Sequence, residues 1–239
     1  PQCDALNFAA MKGLTDKLQA SPLLARVLPF VLFLLLTACQ GSLGHESHYW
    51  IYAAKCVAGT WLVWIIWPLV PEIRWAVSLE ALVAGILVFA IWVLLDIDYP
   101  KLSQPDDTWN LPSSFETAPA MVLFFAGVRI TGSTLLVPLL EEVFYRSFLY
   151  RYIVAPNWIC TPHNRFNSKA FLVTSVIFGL THQHWLAGVV CGMIYQLLVI
   201  RTNRIGYAIT AHAITNLLLG LWVVTHGFGF AEINQWQFW

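Results

Sequence analysis

Apolar stretches about as long as a membrane crossing recur along this chain, and only short polar segments separate them. The runs cover residues 22–38, 49–70, 77–95, 119–153, 170–180, 185–200 and 205–225. A helix that crosses a bilayer needs about 20 such residues. With 58% hydrophobic and 11% charged residues, the chain has too little polar surface to cover a soluble globule of this size. Because isolated strands would leave backbone groups unpaired in lipid, the crossings are predicted to be helices.

The predicted fold is all-α: a polytopic membrane helical bundle of seven or eight segments with a polar intramembrane cavity, formed by a single domain over 1–239. Residues 96–117 are rich in Asp, Pro and Ser and are predicted to form the one long exposed loop. The run 119–153 contains Arg129 and a Gly-Ser-Thr sequence at 132–134, so one net crossing with a broken or re-entrant first half is expected. The distribution of Lys and Arg then favours a cytoplasmic N-terminus and an external C-terminus.

Charge and cysteine content exclude several classes of protein. The formal net charge is +0, which argues against a nucleic-acid partner. The five cysteines have no C-x-x-C pair or ligand spacing, so neither a zinc knuckle nor a disulfide scaffold is predicted. The sequence Leu36-Thr37-Ala38-Cys39 is similar to a lipoprotein processing box, but the end of a first transmembrane helix is the favoured interpretation, because the chain already anchors itself.

Two adjacent carboxylates, Glu141 and Glu142, lie in the fourth apolar run, where a charge is expensive and indicates function. Glu142 and Arg146 are four residues apart and should form an ion pair on one helix face. Glu141 points about 100° away and has no basic partner in its own helix. Glu141 is therefore predicted to be the free carboxylate.

Further polar residues lie in the last runs. His212 and Asn216 are four residues apart and should project from one helix face. His182 follows Phe178 by one turn. His184 should point nearly opposite to His182 if the helix continues, so only one of these two histidines is expected to face a pocket.

These residues support hydrolysis of a peptide bond. Glu141, helped by His182, could deprotonate an attacking water, and His212 with Asn216 could bind the developing oxyanion. The same groups leave a second possibility open, in which Glu141, His182 and His212 hold zinc and zinc activates the water. Because H-E-x-x-H is absent, the preferred prediction needs no cofactor or metal, and zinc stays the alternative.

At these residues the chain resembles a known family. E-E-V-F-Y-R, F-G-L-T-H and H-A-I-T-N match the E-E-x-x-x-R, F-x-x-x-H and H-x-x-x-N motifs of the CPBP (Abi) family, the type II CAAX-prenyl endopeptidases and bacteriocin-processing intramembrane endopeptidases. The similarity covers about 119–225, predicted as the catalytic core. The resemblance implies that Glu141 activates water with help from His182. It also implies that Glu142, Arg146 and Phe178 support the site, and that His212 and Asn216 bind the oxyanion.

The resemblance also implies a location and partners. The closest likeness is to the bacterial branch that accompanies exosortase sorting systems, so we expect a multi-pass protein of the bacterial inner (cytoplasmic) membrane. Its expected partner is a membrane-associated protein or peptide substrate, with an exosortase-type system as a further candidate. A prenylated substrate is not carried over, because the sequence shows no feature that would bind a prenyl group.

Two other classes of function remain open. The chain could be a non-catalytic membrane scaffold or immunity protein in which the Glu-Arg pair only ties helices together. It could also be a proton-coupled transporter, although the inverted repeats typical of transporters are not seen. Lys55 and Arg129 are expected to extend toward the membrane surface. Gly188 and Gly192 predict a close helix contact beside the site.

Overall fold

Helices account for the regular structure of the residues described. The computed structural model describes residues 13–40, 42–44, 47–96, 99–102, 111–115 and 117–227, and within these ranges it contains no strand. The helices are α1 (Gly13–Ala20), α2 (Pro22–Ala38), α3 (Ser47–Ile66), α4 (Leu79–Leu94), α5 (Leu111–Ser114), α6 (Pro119–Val154), α7 (Ser168–Leu180), α8 (Trp185–Thr202) and α9 (Ile205–Gly227). A 3₁₀ turn covers Trp158–Cys160.

Four of these helices, α3, α6, α8 and α9, are long and apolar enough to cross a membrane. Helices α1 and α2 meet the same criterion together, with a bend of 119° between them, and α4 and α7 are shorter apolar helices. The described residues therefore form a helical membrane bundle, as predicted. Counting the bent pair as one segment and including the two shorter helices gives seven apolar segments, the lower of the two predicted numbers.

Helix α6 is continuous, so the predicted break near 132–134 was wrong. The helix runs for 36 residues and contains two π-helical stretches, Gly132–Leu136 and Val143–Leu149. Pro138 follows the first stretch, and a proline inside a helix removes a backbone donor and clashes with the preceding turn. The wider π turn accommodates these effects without ending the helix. Both glutamates lie in the short α-helical piece between the π stretches.

One end of the bundle collects most of the basic residues, and we call it the basic end. Arg26 of α2 and Arg151 of α6 both bind Glu72, which lies in the α3–α4 connection. Exposed Arg201 at the end of α8 pairs with Glu80 near the start of α4 at 2.7 Å. Four parts of the chain therefore meet at this end: the α2 start, the α3–α4 connection, the α6 end and the α8–α9 connection. This arrangement agrees with an odd number of membrane crossings, as the predicted placement of the two termini on opposite sides requires.

The connection between α7 and α8 lies at the opposite end. There His184 lies 3.2 Å from the carboxylate of Asp96, and the indole nitrogen of Trp185 donates to the carbonyl of Pro100 at 2.9 Å. Part of the predicted exposed loop also folds inward at this end. Leu111 and Phe115 are buried, and the ring of Phe115 lies 5.1 Å from that of Tyr49 on α3. The prediction of an entirely exposed loop was therefore wrong, because α5 contributes apolar side chains to the core.

Close helix contacts fix the last three helices. A Cβ atom on Gly192 of α8 would lie 3.0 Å from the Cα of Ser175 on α7, and one on Gly188 would lie 2.9 Å from the Cα of Gly179. The close contact predicted from Gly188 and Gly192 is thus confirmed. Helix α9 approaches α4 equally closely, because a Cβ on Gly85 would lie 2.6 Å from the carbonyl oxygen of Ala211. These contacts position α9, which carries His212, and the turn after α7, which carries His182.

Candidate active site

Glu142 lies at the centre of the polar group inside the bundle. Its side chain is fully buried, and its Oε2 lies 3.1 Å from Nε of the equally buried Arg146, so the predicted ion pair is present. Its Oε1 accepts a hydrogen bond of 3.0 Å from Nδ1 of His212 on α9. Arg146 also donates from Nη2 to the carbonyl of Gly192. A buried charge is tolerated when it is paired in this way. The sequence predicted the pair within α6 and missed the bond to His212.

Glu141 has a different environment from its neighbour. Its side chain is 14% exposed, and its Oε2 lies 3.9 Å from Nε2 of His212, which is longer than a hydrogen bond. This buried Oε2 has no hydrogen-bond partner among the described residues. The imidazole of His212 therefore lies between two carboxylates, with Nδ1 toward Glu142 and Nε2 toward Glu141. One of these carboxylates is engaged by its partners, and the other keeps an oxygen that can accept a proton.

The bond to Glu142 limits the protonation states of His212. Because a carboxylate only accepts hydrogen bonds, Nδ1 of His212 carries a proton, and a neutral ring would then have a lone pair on Nε2. Nε2 can donate only when both nitrogens are protonated. In that state the charges of Glu141, Glu142, Arg146 and His212 sum to zero, which reduces the cost of burying all four groups.

His182 lies in the turn after α7, and its tautomer is also fixed by a backbone contact. Nδ1 donates to the carbonyl oxygen of Phe178 at 2.7 Å. Because the carbonyl can only accept, the neutral ring has its lone pair on Nε2. The edge of the ring contacts Trp92, with 5.5 Å between centroids. His182 can therefore accept a proton or a hydrogen bond through Nε2.

The fully buried ring of Phe178 separates the charged and neutral parts of this group. Its centroid lies 4.8 Å from that of His182 and 5.9 Å from that of His212. The guanidinium of Arg146 lies over the same ring at 4.5 Å. Phe178 was predicted as a supporting residue, and in the structure it contacts members of all three sequence motifs.

Asn216 lies one turn after His212 on α9, and its position depends on α6. Its Nδ2 donates at 2.8 Å to the carbonyl of Ser133, which belongs to the first π-helical stretch. The amide nitrogen carries a second N–H for another acceptor. The π turn thus holds Asn216 beside the cavity and leaves a donor that can bind a substrate oxygen.

A cavity of about 350 Å³ connects these groups. His182, His212 and Asn216 line it, together with residues that the sequence did not single out for the site, namely Tyr52, Lys55, Trp92, Arg129 and Ser133. Glu141 is not one of its lining residues and joins this group through His212. The structure therefore brings three of the four predicted catalytic side chains to one cavity, and the fourth, Glu141, lies 3.9 Å from His212.

Two expectations about neighbouring residues were wrong. His182 and His184 both line the cavity, because α7 ends at Leu180 and the following turn does not keep helical directions. Lys55 does not extend to the membrane surface. It is 4% exposed, and its Nζ is bound inside the bundle by Thr37 and Gln40.

Tyr195 is a site residue that the sequence analysis missed. Its ring centroid lies 5.2 Å from that of His212, and its hydroxyl donates to Thr215 at 2.7 Å. A signal was present in the sequence, because Tyr195 follows Gly192 by three residues and shares the helix face that contacts the site.

Metal ligation was the alternative use of Glu141, His182 and His212. Over the ranges that the structure describes, no three or more His, Cys, Asp or Glu side chains are grouped so that they could hold a metal ion. Metal analysis of the purified protein is the direct test of the zinc alternative. About one equivalent of zinc that is lost in His182→Ala would establish it.

Comparison with protein families identifies the part of the chain that contains this site. The family model Rce1-like, described as type II CAAX prenyl endopeptidase Rce1-like, matches residues 119–218. The matched stretch includes all three motifs and is less than half of the chain. A search of curated proteins and a search of solved structures found no match. The resemblance seen in the motifs is confirmed for the family, and the likeness to the exosortase-associated branch stays a prediction.

Proposed function

Because residues 119–218 match the type II CAAX prenyl endopeptidases, a family of intramembrane proteases, we propose that this protein hydrolyses a peptide bond near the membrane end of a protein substrate. In this proposal Glu141 and His182 activate water, and His212 and Asn216 bind the oxyanion. The observation that supports it most is the buried Oε2 of Glu141, which has no hydrogen-bond partner among the described residues and faces Nε2 of His212 across 3.9 Å.

The reaction can be written with these groups alone. Glu141 takes a proton from water while the water oxygen attacks the peptide carbonyl carbon, and Nε2 of His182 accepts a hydrogen bond from the same water. The carbonyl oxygen becomes an oxyanion that accepts from the Nε2–H of doubly protonated His212 and from the second N–H of Asn216. When the C–N bond breaks, the protonated Glu141 returns its proton to the leaving amine.

Glu142 and Arg146 have a supporting role in this scheme. Glu142 holds Nδ1 of His212 at 3.0 Å and stabilises the doubly protonated ring, while Arg146 balances the charge of Glu142 at 3.1 Å. A partner that fixes the orientation and charge of a catalytic histidine is a recurring arrangement in hydrolases. The two adjacent glutamates therefore contribute to the same step through different groups.

A second cavity supports a membrane-associated substrate. It is a groove of about 1060 Å³ between α3 and the first half of α6, and its lining is mostly apolar. Val57, Trp64 and Leu123 line it and are exposed in the bundle alone, so the groove faces the lipid. Cys56 and Gly132 of the groove adjoin Lys55 and Ser133 of the catalytic cavity along the chain. We propose that an apolar segment of the substrate approaches the site from the bilayer along this groove.

The charges at the two ends of the bundle indicate the side of the membrane on which we expect cleavage. Basic residues favour the cytoplasmic side, and the catalytic cavity includes the α7–α8 turn at the opposite end. In a bacterial inner membrane the substrate would then be cut near the external face. An exosortase-type sorting system is a partner that fits this placement.

Replacement of the proposed base tests the function in cells. A deletion strain is complemented with the wild-type chain, Glu141→Gln, or Glu80→Gln as a matched control, since Glu80 is an exposed carboxylate far along the chain from the site. Masses of membrane-anchored proteins are then compared. We expect one or more proteins to be shortened by the wild type and by Glu80→Gln but not by Glu141→Gln at equal abundance. Unchanged processing in Glu141→Gln would favour the scaffold alternative.

A further inference from the structure

Lys55 is a buried cation whose hydrogen-bond partners among the described residues are uncharged. Its Nζ donates to Oγ1 of Thr37 at 2.9 Å and to Oε1 of Gln40 at 2.7 Å. It also lies 4.5 Å from the ring centroids of both Phe33 and Tyr52. Among the residues that the structure describes, no carboxylate forms a salt bridge with it. An ammonium group carries three N–H donors, so one donor remains after these two hydrogen bonds.

A second cation lies close to Lys55. The guanidinium of Arg129 on α6 lies 5.1 Å from the centroid of the same Tyr52 ring. Since each charge is within about 5 Å of that centroid, the two charges are at most about 10 Å apart. An ionisable residue that is buried inside a membrane bundle, as Lys55 is, indicates a functional site.

Both cations line the cavity that also contains His212 and Asn216. We infer that Lys55, assisted by Arg129, binds a carboxylate of the substrate and thereby determines which peptides enter the active site. This inference rests on the proposed peptidase function and extends it to substrate selection. Lys55 lies outside residues 119–218, so the family match does not supply this role.

The size of the cavity limits which carboxylate of a peptide substrate can reach Lys55. A peptide substrate supplies an anion either as its C-terminal α-carboxylate or as an acidic side chain. A cavity of about 350 Å³ holds only a few residues, so that anion must lie close to the bond that is cut. The carboxylate would accept the remaining N–H of Lys55, and this charge-assisted hydrogen bond strengthens binding.

Peptide binding by the full-length protein in detergent tests this role without requiring turnover. Three dansyl-labelled apolar tripeptides serve as probes: one with a free C-terminus, one with a C-terminal amide, and an amide whose middle residue is glutamate. The host protein is Glu141→Gln, which binds without cutting. We expect at least one carboxylate-bearing probe to bind about tenfold or more tightly than the neutral amide. Preference for the free acid identifies the α-carboxylate, and preference for the glutamate probe identifies a side chain.

Variants of Lys55 made in the Glu141→Gln protein test whether this preference for a carboxylate depends on Lys55. Lys55→Gln should bind all three probes within about twofold of one another, and Lys55→Arg should keep the preference, because arginine retains the charge. Equal binding of the three probes by the host protein would overturn the inference even if Lys55→Gln does not fold. A preference that persists in folded Lys55→Gln would overturn it as well. The binding assay needs no cleavage. Failure of the peptidase proposal is therefore detected separately, in the cell experiment, where Glu141→Gln would leave processing unchanged.

Discussion

Two carboxylate clusters lie inside this bundle, one around Glu72 at the basic end and one around Glu141 and Glu142. In the first, Oε1 of Glu72 accepts from Nη2 of Arg26 at 2.6 Å, from Nη2 of Arg151 at 3.0 Å and from the hydroxyl of Ser147. In the second, Oε2 of Glu141 has no hydrogen-bond partner among the described residues and lies 3.9 Å from the nearest histidine nitrogen. Both clusters combine glutamate with arginine, and they differ in how fully the carboxylate is bound.

The difference indicates what each cluster contributes. A carboxylate oxygen that accepts from three different residues is held in place, and it stabilises the fold by tying α2, the α3–α4 connection and α6 together. A buried oxygen without a donor costs free energy, and such atoms in folded proteins commonly have a chemical role. The Glu72 cluster is therefore expected to determine stability, and Glu141 is expected to determine turnover.

The largest effect should come from Glu141→Gln. Because the amide cannot take the proton from water, turnover should fall by about 10³-fold or more, while the unfolding midpoint stays within a few degrees of wild type. The measurement is the cleavage rate per folded molecule on a substrate identified by its change in mass. Glu72→Gln is the reciprocal control and should keep the wild-type rate per folded molecule. Similar rate losses in the two variants would remove the distinction between the clusters.

The next effect is the loss of stability in Glu72→Gln. This change leaves Arg26 and Arg151 facing each other without a carboxylate, and breaking a buried pair on one side typically costs about 3–5 kcal/mol. We expect a much lower unfolding midpoint in detergent and lower abundance in the membrane. Glu80→Gln is the matched control, since its pair with Arg201 is exposed and should contribute little. A midpoint for Glu72→Gln equal to that of Glu80→Gln would contradict the structural role.

The sequence predicts those features of the two clusters that depend on residues close together in the chain. The helices were found from apolar runs, and the Glu142–Arg146 pair from its spacing, because both follow from local geometry. The bond from His212 to Glu142 joins residues 70 positions apart, so no local pattern contains it. The same holds for the Glu72 cluster and for the burial of Lys55, which depend on how α2, α3 and α6 meet.

Loop geometry was the other source of error. The expectation that only one of His182 and His184 could face the cavity assumed that α7 continues past Leu180. The helix ends there, and residues 181–184 form a turn in which both rings reach the cavity. The break predicted near 132–134 failed for the opposite reason, because a π turn keeps the chain helical where Gly and Ser suggest an interruption.

His212→Ala should have a smaller and mixed effect on stability. If His212 only bound the oxyanion, its replacement by alanine would lower turnover and leave abundance unchanged. Because His212 donates to the fully buried Glu142, its loss leaves that carboxylate short of a donor and should cost about 2 kcal/mol or more in stability as well. His182→Ala is the control, since its Nδ1 contacts only backbone and a hydroxyl. Unfolding midpoints of the two variants should differ, and equal midpoints would exclude a structural role for the Glu142–His212 bond.

The smallest effect is a dependence of stability on pH that should arise at the Glu72 cluster. His163 lies beside this cluster, and burial, with the charge of Arg151, lowers its pKa to about 4. The unfolded chain therefore binds a proton below pH of about 6.5 that the folded chain does not, and stability should fall by about 1–2 kcal/mol between pH 7 and pH 5. Burial alone would raise the pKa of Glu72, but the charge of Arg26 and the bond from Ser147 lower it overall. Its contribution is thus present above pH of about 4.3 and is lost only at lower pH.

Unfolding midpoints of wild type and His163→Gln at pH 7, 5 and 4 separate these two contributions. We expect His163→Gln to lose the decrease between pH 7 and 5 and to keep the decrease below pH 4.3, which belongs to Glu72. Glu72→Gln should show the reverse pattern on a lower baseline. If His163→Gln keeps the full decrease between pH 7 and 5, the acid sensitivity lies elsewhere.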